Sequence, residues 1–415
     1  MTDNGSDVKV LRHLAKHYAE IAAKDVQQER RRLWSRLNSL KPVRPTVLAT
    51  YGTHNLRCGK MFSDHAMHCR DPFYRGHERW LRMEIFRDSI GDDYIQEPWI
   101  TQRAAVVGAW RGVFGVEEAN TGVPEEGGAW QFDPPIKDWA DVAKLRPVPH
   151  SIDEAKTARH VARLQDAVGD TLPVNVERGP VWQGFMADLS TDLAGLRGLS
   201  QIMVDMYESP AELHSLLGFM RDAVLRGQEA AEAAGDFQLT AQGNQEMTYC
   251  EELEWPRANS GPRKRKDLWC HSAAQEFTLI SPKMHDEFLL QYQLPVIREF
   301  GLAAYGCCED LTRKIDMLRQ VPNLRTVSIA PRADMRKCAE QIGKDYVMSW
   351  RPSPADMVCY GFDEARIRRI IRDGMEAAKG CVVAVHLKDV ETVQGEPGRL
   401  AAWVKLVRSI TDSYA

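Results

Sequence analysis

Two adjacent thiols followed by two carboxylates, Cys307–Cys308–Glu309–Asp310, stand at the end of the short apolar run Leu302–Ala303–Ala304–Tyr305. Thiolate, imidazole and carboxylate are the ligands zinc selects, and three protein ligands with one open position make a catalytic site. The competing reading is packing, since a free cysteine behaves as a small buried hydrophobe. Strand side chains alternate, so Tyr305, Cys307 and Glu309 are expected on one face and Gly306 and Cys308 on the other. Three later runs also end in polar groups: Ser328–Ile329–Ala330–Pro331, Ser349–Trp350–Arg351–Pro352 and His386–Leu387–Lys388–Asp389. His386 is the only histidine on these four runs, and a lone histidine serves as a core group or a substrate hydrogen-bonder more often than as a ligand. Lys388 and Asp389 are expected to form an ion pair. The run Leu268–Trp269–Cys270 leads into a loop bearing Glu276, which could complete a metal shell, act as an acid or base, or belong to the cap of the helix that follows from Pro282.

The elements that must position these groups are clearest from Gly301 onward. Strands are expected at 302–308, 324–331, 346–353 and 381–387, separated by helices at 311–320, 333–342 and 363–379 and closed by a helix at 398–411. Repeated strand–helix units of this length build a parallel sheet with right-handed crossovers. Four in a row suit half of a (β/α)8 TIM barrel, with a doubly wound sheet as the competitor. Neither G-x-G-x-x-G nor G-x-x-x-x-G-K-[ST] follows any strand, which favours the barrel. In a barrel, reactive groups sit at the C-terminal strand ends, where all the groups above fall.

Upstream, residues 1–43 read as an N-terminal helical arm, with Val10, Leu11, Leu14, Tyr18, Ile21 and Ala22 on one face. Its Arg30–Arg31–Arg32 triplet reads as a solvated helix face. The run Thr46–Tyr51 opens a single barrel domain over residues 44–415. Within it, residues 52–150 are rich in Trp, Gly and Pro and read as a long insertion or cap near the barrel mouth, with an exposed turn at Gly122–Gly128. Further helices are expected at 152–167, 193–207 and 211–234, with a strand at 172–176. The patch Pro262–Lys266 reads as a flexible surface loop. Cys338, Cys359 and Cys381 read as core, and Cys58, Cys69, His65 and His68 match no metal template.

The chain has 415 residues, with Lys+Arg 54 against Asp+Glu 58 and a net charge of −4. Nucleic-acid binding leans on a basic surface, which this balance does not supply. No apolar run approaches the ~18 residues of a membrane span, and the N-terminus lacks a signal-peptide pattern. Nine cysteines without an export signal imply reduced thiols, so a cytoplasmic location is expected.

At Tyr305–Gly306–Cys307–Cys308–Glu309–Asp310–Leu311, with Ser328–Pro331, Ser349–Pro354 and Leu387–Lys388–Asp389 following, the chain resembles the uroporphyrinogen decarboxylase superfamily. Within it, the chain is most similar to the corrinoid-dependent methyltransferase branch, the substrate-demethylating components of O-demethylase systems. The likeness extends loosely through Asp71–Pro72–Phe73 and Ile90–Gly91–Asp92–Asp93 and is sharpest from Leu268 onward. It implies a single (β/α)8 barrel with a zinc ion at its mouth, held by an H-x-C pair and a distant cysteine. Here Tyr305 stands in the histidine's place and His386 near the distant position, so the implied ligand set becomes Cys307, Cys308 and Glu276, with His386 or Glu309 as the alternative third ligand. Tyr305, Glu309 and His386 are the catalytic candidates, Tyr305 and His386 as proton donors to a departing oxygen. The resemblance implies methyl transfer from a small methylated donor, chiefly an aryl methyl ether, to cobalt. No D-x-H-x-x-G segment is present, so the corrinoid must arrive on a separate corrinoid-binding protein. Trp80, Trp99, Trp110, Trp130 and Trp139 could wall an apolar substrate pocket. The alternatives are methylcorrinoid-to-thiol or folate transfer, a tetrapyrrole decarboxylase and a barrel that only docks a partner. The decarboxylase suffers from the scarcity of basic groups after Pro45, where Arg57 is the only one before Lys60.

Overall fold

The computed structural model describes residues 5–51, 60–107, 114–117, 119–122, 130–147, 150–180 and 187–414. Cys58, Arg57, Trp110 and the expected turn at 123–128 lie outside them, and so does the side chain of Trp130.

The polar N-terminal stretch forms two helices, α1 (Gly5–Ala22) and α2 (Asp25–Asn38), rather than one. The apolar face of α1 buries Leu11, Leu14, Tyr18 and Ile21. Its partners are α3 (Pro72–Ile90) and α4 (Glu154–Val168). The basic triplet is not simply a solvated face. Arg30 is buried and donates to the Tyr94 carbonyl, and Arg31 reaches the Glu97 carboxylate at 2.9 Å; only Arg32 is exposed. Both bonds face inward because α2 lies against β1 (Thr46–Tyr51).

Helix α3 has strong ends. The Asp71 side chain accepts from the Phe73 amide, Pro72 fills the first turn, and Gly91 closes the helix at φ +73°. It leads to β2 (Ile100–Arg103), which pairs in parallel with β5 (Val174–Glu177) across α4. Part of the expected cap is therefore strand–helix framework. Between them, β3 (Ala119–Gly122) and β4 (Trp130–Asp133) form an antiparallel ladder. The expected helix at 193–207 splits into α5 (Ser190–Arg197) and α6 (Leu199–Glu208) at Gly198, φ +87°. Helix α7 spans Pro210–Ala233.

A two-residue pair, β6 (Gln242–Gly243) and β7 (Glu246–Met247), precedes the main sheet strands β8 (Trp269–Ser272), β9 (Leu302–Tyr305), β10 (Leu324–Ile329), β11 (Val347–Trp350) and β12 (Val382–Val390). Six parallel strands run in the order β1-β12-β11-β10-β9-β8, which is a half-barrel, with β2-β5 as a separate pair. Among the described residues the ladder does not close into the expected eight-stranded barrel. Side chains satisfy strand edges where a ladder is missing. Asp93 and Asp92 accept from the Val47 and Ala49 amides beside β1. The Asn259 side chain likewise accepts from Val176 and donates to the Val174 carbonyl beside β5. Both devices answer backbone groups that would otherwise be orphaned.

Alternation along the sheet sorts its two faces. Val47, Ala49, Tyr305, Val327 and Val385 pack with the helices in the main core. On the other face Leu48, Val347 and Ala384 pack with Trp34, Tyr249 and Met247. Ser349 and His386, each two residues beyond members of that second group, extend the same face towards the strand ends. The patch at 262–266 is anchored through Arg265, which is buried and bonded to Glu232. No helix among the described residues is long and apolar enough to cross a membrane.

Asp93 joins the arm, the first strand and the last helix. Its buried carboxylate receives both terminal nitrogens of Arg44 at 2.9 and 2.8 Å and Arg408 Nη2 at 2.6 Å. Burial pushes this carboxyl up, but Arg44, Arg408 and the Val47 amide outweigh it and hold it below the ordinary range. The folded-state value is depressed, so the stabilisation is fully present above the unfolded value of about 3.9 and is lost as pH falls through the folded one. Asp93→Ala should lower the urea unfolding free energy by about 3–5 kcal/mol at pH 7, because it strands two arginines. Asp88→Ala, which removes only the surface pair with Lys24, should cost less than about 1 kcal/mol.

Candidate functional site

The thiol pair owes its position to the residue before it. Gly306 has φ +103°, and a Cβ there would meet Leu311 Cδ1 at 2.8 Å and Ser328 Cβ at 3.1 Å. That backbone conformation is one only glycine adopts readily. It ends the strand alternation: Tyr305 points into the helical layer, while Cys307 turns towards the end of β12. Cys307 Sγ lies 3.0 Å from Lys388 Nζ, 3.6 Å from Cys308 Sγ and 3.7 Å from Asn244 Oδ1. Arg351 Nη1 donates to the Cys307 carbonyl at 2.5 Å. A hydrogen bond from the Cys308 thiol, helped by the charges of Arg351 and Lys388, draws the Cys307 thiol down to about 5 against the pull of burial. The same bond pushes the Cys308 thiol up. At neutral pH, Cys307 is the thiolate and Cys308 the donor.

The opposite wall is the β6–β7 hairpin, whose two turn residues both have positive φ, Asn244 at +45° and Gln245 at +69°. This is the geometry of a two-residue primed turn, in which glycine normally takes the second place. Cross-strand partners share a face, so Gln242 and Met247 look one way and Gly243 and Glu246 the other. On the second face Gly243 touches the His271 ring, where a Cβ would fall 2.0 Å from Cε1. Glu246 accepts from Ser349 Oγ and from Arg351 Nη2, the latter at 3.3 Å. Burial raises the Glu246 carboxyl, yet His386, Arg351 and Ser349 together hold it at about 2. At 3.7 Å, His386 Nδ1 is too far from Glu246 for a good hydrogen bond. Burial also lowers His386 and His271 to about 4, so both are neutral at pH 7 and Arg351 is the cation that balances Glu246. Neither ring nitrogen of His386 has a hydrogen-bond partner among the described residues. The Asn244 side chain accepts from Lys388 at 2.8 Å and donates to the Gly306 carbonyl at 3.2 Å, joining hairpin to thiol.

The other expected site residues divide clearly. Tyr305 is no mouth residue: its hydroxyl donates to Gln293 at 2.7 Å and lies 2.9 Å from His285 Nε2, within the core. Glu309 is buried and serves the backbone, accepting from the Cys307 amide at 2.8 Å and the Ala274 amide at 2.7 Å. It positions the thiol turn and does not face an open site. Glu276 is engaged elsewhere, bonded to Ser190 Oγ at 2.7 Å and Thr191 Oγ1 at 3.1 Å. The same two hydroxyls also face Asp188, at 2.8 and 3.2 Å. Burial and the charge of Glu276 raise Asp188 to about 7. Lys388 pairs with Asn244 and Cys307 rather than with Asp389, whose Oδ2 lies 3.8 Å from Cys308 Sγ. Among the described residues no group of three His, Cys, Asp or Glu side chains is placed to hold a metal. The expected zinc set of Cys307, Cys308 and Glu276 does not fit: Glu276 is occupied, and an ammonium group stands at the thiolate.

Asn244 and Glu246 went unnoticed in the sequence because Asn-Gln is a weak hairpin signal between two-residue strands. Arg351 and Lys388 stood at strand ends, but nothing in their spacing tied them to Cys307. Cys338 and Cys359 are buried as expected.

A cavity of about 270 Å³ lies beyond the hairpin, lined by Tyr18, Trp80, Tyr94 and Trp99 and by Glu97 and Glu177. Gln242 and Met247 also line it, whereas Cys307 and Lys388 do not. The hairpin therefore separates the cavity from the thiolate. Of the other tryptophans, Trp139 stacks under Arg197 at 4.3 Å.

The reactivity of Cys307 towards methyl methanethiosulfonate, followed by mass spectrometry, should rise with pH through a midpoint near 5. Lys388→Gln should move that midpoint up by about one unit or more, since it removes the cation nearest the sulfur. Gln245→Gly should raise the unfolding free energy by about 1 kcal/mol by relieving the positive φ, read from urea denaturation.

No protein-family model matches the chain, and no curated protein matches it. Among solved structures, it is similar to a methyltransferase from Methanosarcina mazei, with 14% sequence identity and a TM-score of 0.48 over 93% of this chain and 98% of that one.

Proposed function

We propose that the protein is a methyltransferase in which the Cys307 thiolate is the reacting nucleophile. The observation that carries this reading is the buried sulfur with Lys388 Nζ at 3.0 Å, at the C-terminal end of a parallel sheet. A thiolate is the strong nucleophile among protein side chains at neutral pH, and methyl is a small group that a confined sulfur can accept. The donor is a small methylated compound, and an aryl methyl ether is the class that the family resemblance implies.

The sulfur lone pair forms the S–C bond as the donor's C–O bond breaks, and that electron pair stays on oxygen. The oxygen then takes a proton from the Lys388 ammonium, which also answers its developing charge. Arg351 and Asn244 hold the acceptor end in place through the Cys307 carbonyl and the Lys388 ammonium. A corrinoid on a separate protein would supply the cobalt to which the methyl group finally passes. The donor set does not fit zinc, and no step here uses it.

Incubation of the purified chain with a methyl-labelled aryl ether should leave labelled S-methylcysteine at Cys307 in a single turnover, detected by peptide mass spectrometry. Adding a reduced corrinoid protein should then remove the label and methylate the cobalt. Cys307→Ser should abolish both steps. Lys388→Met should slow the first by about a hundredfold. Cobalt methylated at an undiminished rate by Cys307→Ser would overturn the reading in favour of direct transfer.

A further inference from the structure

The cavity beyond the hairpin holds a carboxyl group with no partner among the described residues. Two of its lining residues are carboxylates, and among the described residues no lysine or arginine lines it. Glu97 is satisfied, since Arg31 Nη2 lies 2.9 Å away and the Tyr249 hydroxyl donates to it. Glu177 is different. Among the described residues its carboxylate has no hydrogen-bond or salt-bridge partner, and the only cation that acts on it is Arg103, its exposed register partner on β2. Glu177 is half-buried, and the water it has lost raises its carboxyl, so a cation beside it would be favoured. Around it stand four aromatic rings, Tyr18, Trp80, Tyr94 and Trp99. Aromatic faces together with a carboxylate form the surroundings in which ammonium groups are held. At about 270 Å³ the space is just below the ~300–1,000 Å³ typical of ligand sites, so it suits a small molecule.

We propose that this cavity binds a small aromatic compound carrying an ammonium group, which pairs with Glu177 while its ring lies among Trp80, Trp99 and Tyr18. The charge preference rests on the cavity lining alone and is independent of the methyl-transfer reading. A ligand bearing a carboxylate is disfavoured there, because no cation in the lining would meet it. The hairpin connects the two sites: Gln242 and Met247 face the ligand, and Asn244 at the tip touches the thiolate.

The test is binding without turnover, followed by quenching of tryptophan fluorescence. Three matched probes are titrated into the wild-type chain: para-methoxybenzylammonium, para-methoxybenzyl alcohol and para-methoxybenzoate. The cation should bind about tenfold or more tighter than the alcohol, and the benzoate should not saturate. In Glu177→Gln the preference for the cation should fall to within about threefold, while Glu177→Asp should retain it. Equal or tighter binding of the alcohol by the wild type overturns the proposal even if the variants do not fold. A preference that survives in folded Glu177→Gln overturns it as well. If the cation binds as expected but no S-methyl Cys307 forms, the site stands and the methyl-transfer reading fails.

Discussion

Two anions buried at the end of a sheet require two buried cations, and much of the local structure follows from that requirement. Cys307 and Glu246 are the anions; Lys388 and Arg351 are the cations, and each arrives from a different strand end or from the hairpin. An isolated charge in such surroundings would be neutralised by a shift in its own ionisation. Here the shift runs the other way, because each anion has a cation within about hydrogen-bond reach. Removing one member leaves its partner exposed to the full cost of desolvation, so the four act as a unit.

Neutral groups complete the arrangement. Asn244 bridges the hairpin tip to Lys388 and to the Gly306 carbonyl, and it does so from a turn with two positive φ angles. Strained backbone persists where the surroundings over-determine it. Gly243 must lack a side chain for His271 to sit against the hairpin. Glu309 holds the turn from behind by accepting two amides, one on each side of the β8–β9 strand end. The hairpin thus has two jobs, with one face closing the charged cluster and the other lining the aromatic cavity.

Much of the framework was legible in the amino-acid order. The strands β9 to β12 and the helices at Met335–Ile342 and Glu364–Ala377 follow from apolar runs of strand length alternating with amphipathic stretches, whereas the helix expected at 311–320 is reduced to Ile315–Leu318. The start of the last helix at Gly398 and its end at Thr411 coincide with expectation. Cys307 and His386 were likewise placed at strand ends on the correct end of the sheet. Tyr305 was misread because parity was carried through Gly306, where a positive φ stops the alternation. Glu276 was misread because its partners, Ser190 and Thr191, are more than eighty residues away. The closed eight-stranded ladder was expected from four strand–helix units, the lack of a glycine-rich motif and the family resemblance. At the edges of β1 and β5, side chains of Asp92, Asp93 and Asn259 supply the bonds that a neighbouring strand would have made.

Sequence by itself determined the local elements and the presence of an adjacent thiol pair, since periodicity and residue type act over a few neighbouring positions. Tertiary structure decided which thiol is ionised, which carboxylate is balanced and which cavity holds a carboxyl group without a partner. Those outcomes depend on burial and on charges brought together from distant segments, such as Asn244 and Lys388 across 144 positions. Electrostatic free energy out of water is set by distances of a few ångströms. Such distances exist only once the chain has folded.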